Sequence, residues 1–384
     1  MIGRRSGRWA AMLAVLTLVA CHSTSTPNPT SPVPSAPSFN TANALFYTKA
    51  GSLYVSEPAG TPGRKLTDGP GDTQPAPSPD LSHVAFVRKV TADDYGGELW
   101  VLDLSPQLEP TGPPRRLVDP AALPRGSGDL APMVALPRWS PTGQQVAFVD
   151  NPTGGAVGGG VLLVAAADNG VLAPRRPQPP ATAWVPFAGP AFTWAPDGSH
   201  IVWLNERSDV RPVDVNVLAV GADSAPVVTG TNAFSVAYAK DGKTILFSNG
   251  EAPPDSYSPK FAVRAGGIYS VAADVAAPTP PTPLFTRQGG YYSDLAALGS
   301  GAVAFTAVGP AESSKAIQVL DKGSKQPRTT VTDVAAAAPS PAWGTGDFVA
   351  YLDTSPESAL VVTDLDNRNP KRVDTGVDAF AWAP

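Results

Sequence analysis

A short pattern that returns along the whole chain limits the fold more than any other feature. It consists of an apolar or aromatic segment, a Ser/Ala-Pro-Asp-Gly-like turn, and then an apolar strand. It appears as Pro77-Ser78-Pro79-Asp80 before His83-Val84-Ala85-Phe86-Val87, and as Trp139-Ser140-Pro141-Thr142-Gly143 before Val146-Ala147-Phe148-Val149. The clearest copy is Phe192-Thr193-Trp194-Ala195-Pro196-Asp197-Gly198 before Ile201-Val202-Trp203-Leu204. A fourth is Tyr238-Ala239-Lys240-Asp241-Gly242 before Ile245-Leu246-Phe247, degenerate copies fall at 297–305 and 342–351, and a partial one is Phe380-Ala381-Trp382-Ala383-Pro384. The turn has a mechanism. Pro presets φ at its first central position, Asp accepts local backbone hydrogen bonds, and Gly supplies a positive φ.

After each second strand a third follows, such as Glu98-Leu99-Trp100-Val101-Leu102 or Gly266-Gly267-Ile268-Tyr269-Ser270-Val271, and then a short fourth such as Arg115-Arg116-Leu117-Val118. Four strands per unit, recurring every 40 to 60 residues or roughly so, are expected of β-propeller blades. Composition agrees: 36 Gly, 44 Pro and only 16% charged residues favour short strands and turns over long helices. The chain ends complement each other. Ala44-Leu45-Phe46-Tyr47-Thr48 reads as a second strand without a first, Ser52-Leu53-Tyr54-Val55 and Arg64-Lys65-Leu66 read as a third and fourth, and 378–382 supplies the missing first strand. The expectation is an all-β propeller of seven four-stranded blades spanning 43–384, closed by pairing the C-terminal strand with the N-terminal strands. Six or eight blades remain open alternatives, since the fifth copy of the motif is poor.

Ahead of this domain, residues 1–20 read as an export signal, with Arg4, Arg5 and Arg8 preceding the uncharged stretch 11–20. That stretch is about half the length a helix needs to cross a bilayer. Leu18-Val19-Ala20-Cys21 resembles the lipobox of bacterial lipoproteins, which implies acylation of Cys21, the only cysteine, and a membrane anchor held by its acyl chains. Residues 22–42 contain 14 Ser, Thr or Pro and no Asp, Glu, Lys or Arg, the composition of an extended tether that belongs with Cys21 in a segment 21–42. Loss of the signal removes three arginines and no acids, taking the formal charge from −5 to −8. An acidic exported domain is unsuited to nucleic acid, which requires a basic surface.

The Pro-Asp-Gly turns before Val-Ala-Phe-type strands resemble the WD-repeat-like propeller of the TolB family over about residues 40–384. That resemblance implies a scaffold in an envelope complex. The small α/β domain that precedes the propeller in TolB is not expected here, because the tether reads directly into the first strand, so a TolB-specific partner is not carried over. Propeller lipoproteins of high-GC Gram-positive bacteria are a second comparison.

Residue patterns for chemistry are sparse. His22 lies in the tether, while His83 and His200 occupy equivalent places in separate repeats, unsuited to a shared Ser-His-acid site. There is no Gly-x-Ser-x-Gly elbow, no His-Glu-x-x-His and no cysteine pair, and 364–369 lacks the turn glycine and terminal Glu of a calcium loop. Gly154 to Gly160 has no Lys or following helix to bind phosphate. No catalytic residue, metal or cofactor is therefore assigned. Trp139, Trp194 and Trp203 read as packing between blades.

The connections from second to third strand and from blade to blade share one face, opposite the tight turns. The long ones (89–97, 150–159, 205–212, 248–265, 119–135 and 177–189) make that face the expected binding surface. Its candidate residues are Asp93, Asp94 and Tyr95; Arg207, Asp209 and Arg211; and Asp255, Tyr257, Lys260 and Arg264, the mixture of charged and aromatic groups found in recognition surfaces. The expected partner is an envelope protein. A glycan or small ligand in the channel mouth is the first alternative, and a hydrolase or lyase with channel carboxylates the second.

Overall fold

The computed structural model describes residues 43–92, 96–123, 132–150, 161–173, 192–206, 213–220, 227–230, 233–249, 266–274, 279–287, 291–308, 315–335, 341–344 and 346–383. The chain divides into two units, Met1–Ala36, which lies outside the described residues, and Pro37–Pro384, which holds the propeller.

The strands run in chain order as β1 (Leu45–Lys49), β2 (Ser52–Ser56) and β3 (Arg64–Lys65), then β4 (Asp72–Pro77), β5 (His83–Arg88), β6 (Glu98–Asp103) and β7 (Arg115–Arg116). After a single 3-10 turn at Pro120–Ala122 come β8 (Val134–Trp139), β9 (Gln145–Asp150) and β10 (Val161–Ala166). The next two groups are β11 (Phe192–Trp194), β12 (His200–Glu206), β13 (Val213–Ala219) and β14 (Val227–Gly230), and β15 (Ala233–Tyr238), β16 (Thr244–Asn249), β17 (Gly266–Ala272) and β18 (Thr282–Arg287). They are followed by β19 (Tyr291–Ala297), β20 (Val303–Val308), β21 (Lys315–Leu320) and β22 (Arg328–Val334), then β23 (Ala342–Trp343), β24 (Phe348–Leu352), β25 (Leu360–Asp364) and β26 (Lys371–Asp374), and finally β27 (Val377–Trp382).

Each group is an antiparallel meander, and the last strand returns to the first group to give the order β27-β1-β2-β3. This corrects the expectation of seven four-stranded blades. Among the described residues six sheets are four-stranded, whereas β8-β9-β10 has three strands. Beyond β10 a turn brings back Leu172 for one isolated bridge to Ala165, too little to make a fourth strand there.

The second strands are near-continuous apolar runs because both faces pack on neighbouring sheets. Val84 to Val87 are fully buried, as are Val146 to Phe148 and Ile201, Val202 and Leu204. Core clusters accordingly join two sheets each: Ala85, Leu99 and Val101 pack with Val146, Phe148 and Leu163. The outer strands β3 and β7 are two residues long and largely exposed, which leaves little free edge.

The tight turns take the expected form. Gly143, Gly198 and Gly242 have φ of 71°, 73° and 66°. The first copy has no glycine, and Leu81 accepts the left-handed conformation instead, at φ 59°. Asp197 Oδ1 accepts from the Ser199 N–H at 2.9 Å, and Asp241 Oδ1 from the Lys243 and Thr244 N–H groups at 2.8 and 2.9 Å.

Closure is direct. Leu45 pairs with Trp382, Phe46 with Ala381 and Tyr47 with Phe380, and the Ala383 N–H donates to the Ala44 carbonyl at 2.9 Å. The Trp382 indole stacks on Phe348 of the neighbouring sheet, 6.4 Å between centroids, and lies against Gly344, where any side chain would collide with it. A polar latch accompanies this packing. Tyr47 Oη donates to Asp374 Oδ2 at 2.9 Å, and Lys49 Nζ to Asp374 Oδ1 at 2.6 Å. Burial alone raises the Asp374 pKa, but the hydrogen bonds from Lys49, the Thr375 N–H and Tyr47 together hold it below the usual carboxylate range. Tyr47 is pushed well above its ordinary value, first by burial and then by Asp374, so it remains a donor.

A carboxylate with a depressed folded-state pKa stabilises the fold above its unfolded pKa of about 3.9, and that contribution disappears as pH falls through the lower folded value. Asp374→Asn is expected to unfold at lower urea concentration than the parent at pH 7, with the difference shrinking below about pH 4. Paired urea titrations across that range measure it, and a pH-independent difference would contradict the latch.

Candidate functional site

The meander sorts the connections onto two faces. First strands pass to second strands through the tight turns on one face, while second-to-third connections and blade crossings lie on the other. The described chain enters at Asn43 and finishes at Ala383, on either side of the first-to-second strand junction of the closing blade, so both ends sit on the tight-turn face. On the opposite face the second-to-third connections differ in length: nine residues between β5 and β6, ten between β9 and β10 and sixteen between β16 and β17, against six between β12 and β13, six between β20 and β21, seven between β24 and β25 and two, Ala50-Gly51, between β1 and β2. The two longest blade crossings, 117–133 and 167–191, fall in the same stretch of chain as the three longest of these connections, between β5 and β17.

The residues singled out from sequence fall in those connections. Asp93, Asp94, Tyr95, Arg207, Asp209, Arg211, Asp255, Tyr257, Lys260 and Arg264 lie outside the described residues, as do Leu18, Val19, Ala20 and Cys21. The strands that carry the loops are described. β12 and β13 stand beside β15, so connections 207–212 and 250–265 leave from neighbouring sheets, and 93–95 leaves from a sheet separated from them by β8-β9-β10.

The base of loop 89–97 is held by a polar cluster that sequence reasoning missed. Arg88, the last residue of β5, places Nε 2.6 Å and Nη2 3.1 Å from the two oxygens of Asp72, a fully buried carboxylate that also accepts from Thr67 Oγ1. The guanidinium lies 4.5 Å from the Trp100 ring centroid and 5.4 Å from that of Phe86. At the far end of the loop, Glu98 accepts from Trp100 Nε1 at 3.0 Å and Arg116 Nη1 at 3.1 Å. Between them Gly97 exchanges backbone hydrogen bonds with Val134 at 3.0 and 2.9 Å, an approach so close that a Cβ would strike the Arg88 carbonyl. The signal available in sequence was the alternation of Asp72 and Arg88 at facing ends of paired strands.

The first strands line the axis, and β27 packs on β4, β4 on β8, β11 on β15, β15 on β19 and β23 on β27. Trp139 Nε1 donates to the Ala76 carbonyl at 2.8 Å, Trp194 Nε1 to that of Arg138 at 3.2 Å, and Trp343 Nε1 to that of Asp294 at 3.0 Å. Trp139, Trp194 and Trp203 are buried between sheets, as their repeat positions implied. Three first strands also bulge, with Gln74, Leu136 and Asp294 at φ 50°, 55° and 55°.

The histidines remain apart. His83 Nδ1 meets Asp103 Oδ1 at 2.8 Å and its ring stacks on Trp139. His200 Nδ1 lies 2.6 Å from Ser199 Oγ, and Ser199 Oγ donates to Asp197 Oδ1 at 2.7 Å. In that exposed turn the acid orients the hydroxyl and not the imidazole, the reverse of a nucleophile-base-acid relay. Among the described residues no three His, Cys, Asp or Glu side chains gather as a metal site, and no helix is long and apolar enough to cross a membrane.

No family model matches the chain, and no curated protein matches it. Solved structures do resemble it. The tricorn protease aligns with a TM-score of 0.58 at 11% identity over 88% of this chain and 34% of that one, so the chain spans about a third of that protein. An oligogalacturonate lyase in complex with manganese gives 0.54 at 14% over 86% and 83% of the two chains. TolB from Acinetobacter baumannii gives 0.52 at 14% over 88% and 81%. At such identities the likeness shows the fold alone, a TolB-like β-propeller.

Removing one partner of a buried ion pair leaves the other charge uncompensated. Arg88→Leu is expected to lower unfolding free energy by about 3–5 kcal/mol, read from urea unfolding. A change within about 0.5 kcal/mol, the usual scale of an inconsequential surface substitution, would show that Asp72 does not depend on Arg88.

Proposed function

We propose that this protein is an exported, lipid-anchored scaffold that works by binding, not catalysis, and receives an envelope protein on its loop face, where the long connections lie. The observation that carries the reading is that the three longest second-to-third connections and the two longest blade crossings all fall between β5 and β17, opposite the face where the described chain enters. A rigid ring with clustered loops on one side suits recognition, because the loops vary while the scaffold holds their roots. The Arg88–Asp72 pair and the Gly97–Val134 bridge provide such a root.

The anchor follows from Cys21 and its lipobox-like surroundings. Several acyl chains on one residue hold a membrane stably where one holds marginally. The described chain enters the propeller on the tight-turn face, which leaves the loop face for a partner. The resemblance to TolB supports a scaffold role. The candidate contacts are Tyr257, Asp255, Lys260 and Arg264, with Arg207, Asp209 and Arg211 beside them and Asp93, Asp94 and Tyr95 farther round.

The test is in-cell photo-crosslinking from position 257, with position 200 on the tight-turn face as control. A discrete adduct from 257 alone is expected, and Cys21→Ser is expected to move the protein out of the membrane fraction. Absence of any adduct from 257, with the protein present and anchored, would overturn the partner reading. Unchanged membrane retention of Cys21→Ser would overturn the anchor.

A further inference from the structure

The seven tight-turn junctions share one hydrogen bond, in which the first residue after each inner strand donates to the residue opening the second strand: Ser78 to His83, Ser140 to Gln145, Ala195 to His200, and so on to Ala383 and Ala44. This bond aligns the inner strands residue by residue. The position just before it is Pro77, Trp139, Trp194, Tyr238, Ala297, Trp343 or Trp382, of which Trp139, Trp194, Tyr238 and Trp382 are buried between sheets and Trp343 is half-buried. One residue earlier, on the opposite side of each strand and toward the axis, stand Ala76, Thr193, Ala237, Ala296, Ala342 and Ala381. In the remaining strand that place is taken by Arg138, flanked by buried Pro137 and Trp139.

Arg138 is thus the one long, charged side chain in a ring of small ones. Its side chain reaches solvent, yet the surrounding protein desolvates it enough to lower the guanidinium pKa, as expected for a narrow wet channel. No ion pair or side-chain hydrogen bond to the guanidinium occurs among the described residues, although its backbone carbonyl is held by Trp194. The equivalent positions carry five alanines and Thr193, so no other long side chain occupies this level. A guanidinium desolvated by its surroundings and without a partner among the described residues is stabilised by an anion that completes it.

We propose that Arg138 is a binding site for a monocarboxylate with a slim apolar body, entering the channel from the tight-turn mouth. The planar fork of a guanidinium matches the two oxygens of a carboxylate. Charge selects within the oxyanions. One cation neutralises one negative charge, the five alanines of the ring add no donor and Thr193 adds only a neutral hydroxyl, and the turn carboxylates Asp80, Asp197 and Asp241 border the same mouth and repel a dianion. Arg138 sits two residues from Ser140, about 7 Å along the strand from that mouth, so a short ligand reaches it. This site is separate from the loop face and does not depend on the partner reading.

The test uses protein purified from cells expressing the full chain, with 15N-labelled arginine and the Arg138 Nε–H signal assigned by its loss in Arg138→Gln. Butyrate is titrated, with butylamine and inorganic phosphate as comparisons. A saturable shift of the Arg138 signal with butyrate is expected, with phosphate weaker and butylamine silent. Calorimetry is expected to show butyrate affinity reduced at least about tenfold in Arg138→Gln, and reduced in Ala342→Leu, which narrows the ring at the same level. A non-saturating Arg138 signal in the parent protein, undiminished butyrate affinity in folded Arg138→Gln, or phosphate binding as tight as butyrate would each overturn the proposal. The first of these needs no variant to fold.

Discussion

The antiparallel ladder between β1 and β27 is the constraint on which the other features depend. It joins residues from the two ends of the chain, Leu45 to Trp382 and Tyr47 to Phe380, within one sheet. Without it the first group has only three strands and two adjoining sheets lose a neighbour. With it, the Trp382 indole fills the space between Phe348 and Gly344, and Asp374 gathers Tyr47 and Lys49 across the same junction. The ladder also decides orientation, because pairing the two ends brings both onto the tight-turn face and leaves the loop face clear.

From this follows the division of labour that the functional reading uses. Tight turns need Pro, Asp and Gly in fixed places, and neighbouring turns abut, so that face tolerates little insertion. The loop face tolerates length, and its longest connections all fall between β5 and β17. Between the faces runs the channel, where a substitution at one repeat position changes the chemistry without changing the fold. Arg138 replaces a residue that is alanine in five of its six equivalents, and the ring accepts it because the axis has room. Structures of proteases, a lyase and TolB share this architecture, so function is to be sought in such local departures from the repeat.

Much of the architecture was legible in sequence. The turn motif located the strand pairs, the orphan strand at 44–48 called for its complement at 378–382, and the tryptophans Trp139 and Trp194 before the turns identified the packing between sheets. Other features had no local signature. Leu136 and Asp294 take left-handed backbone conformations with no glycine to announce them, and the resulting bulges shift strand register, which decides whether Arg138 faces the core or the axis. The Arg88–Asp72 pair joins two residues sixteen positions apart, and no local motif around either points to the other. The proposed contact residues fall in connections whose lengths follow from the strand boundaries but whose conformations do not follow from the repeat.

Hydrogen exchange at the closing strand tests the central claim most directly. If β27 is an integral strand of the ring, the amides of Phe380 to Ala383 exchange only with global unfolding, at the same free energy as those of β5 in the core. Exchange of these amides at the rate of a frayed terminus, while β5 stays protected, would show that the ring is not closed by this ladder.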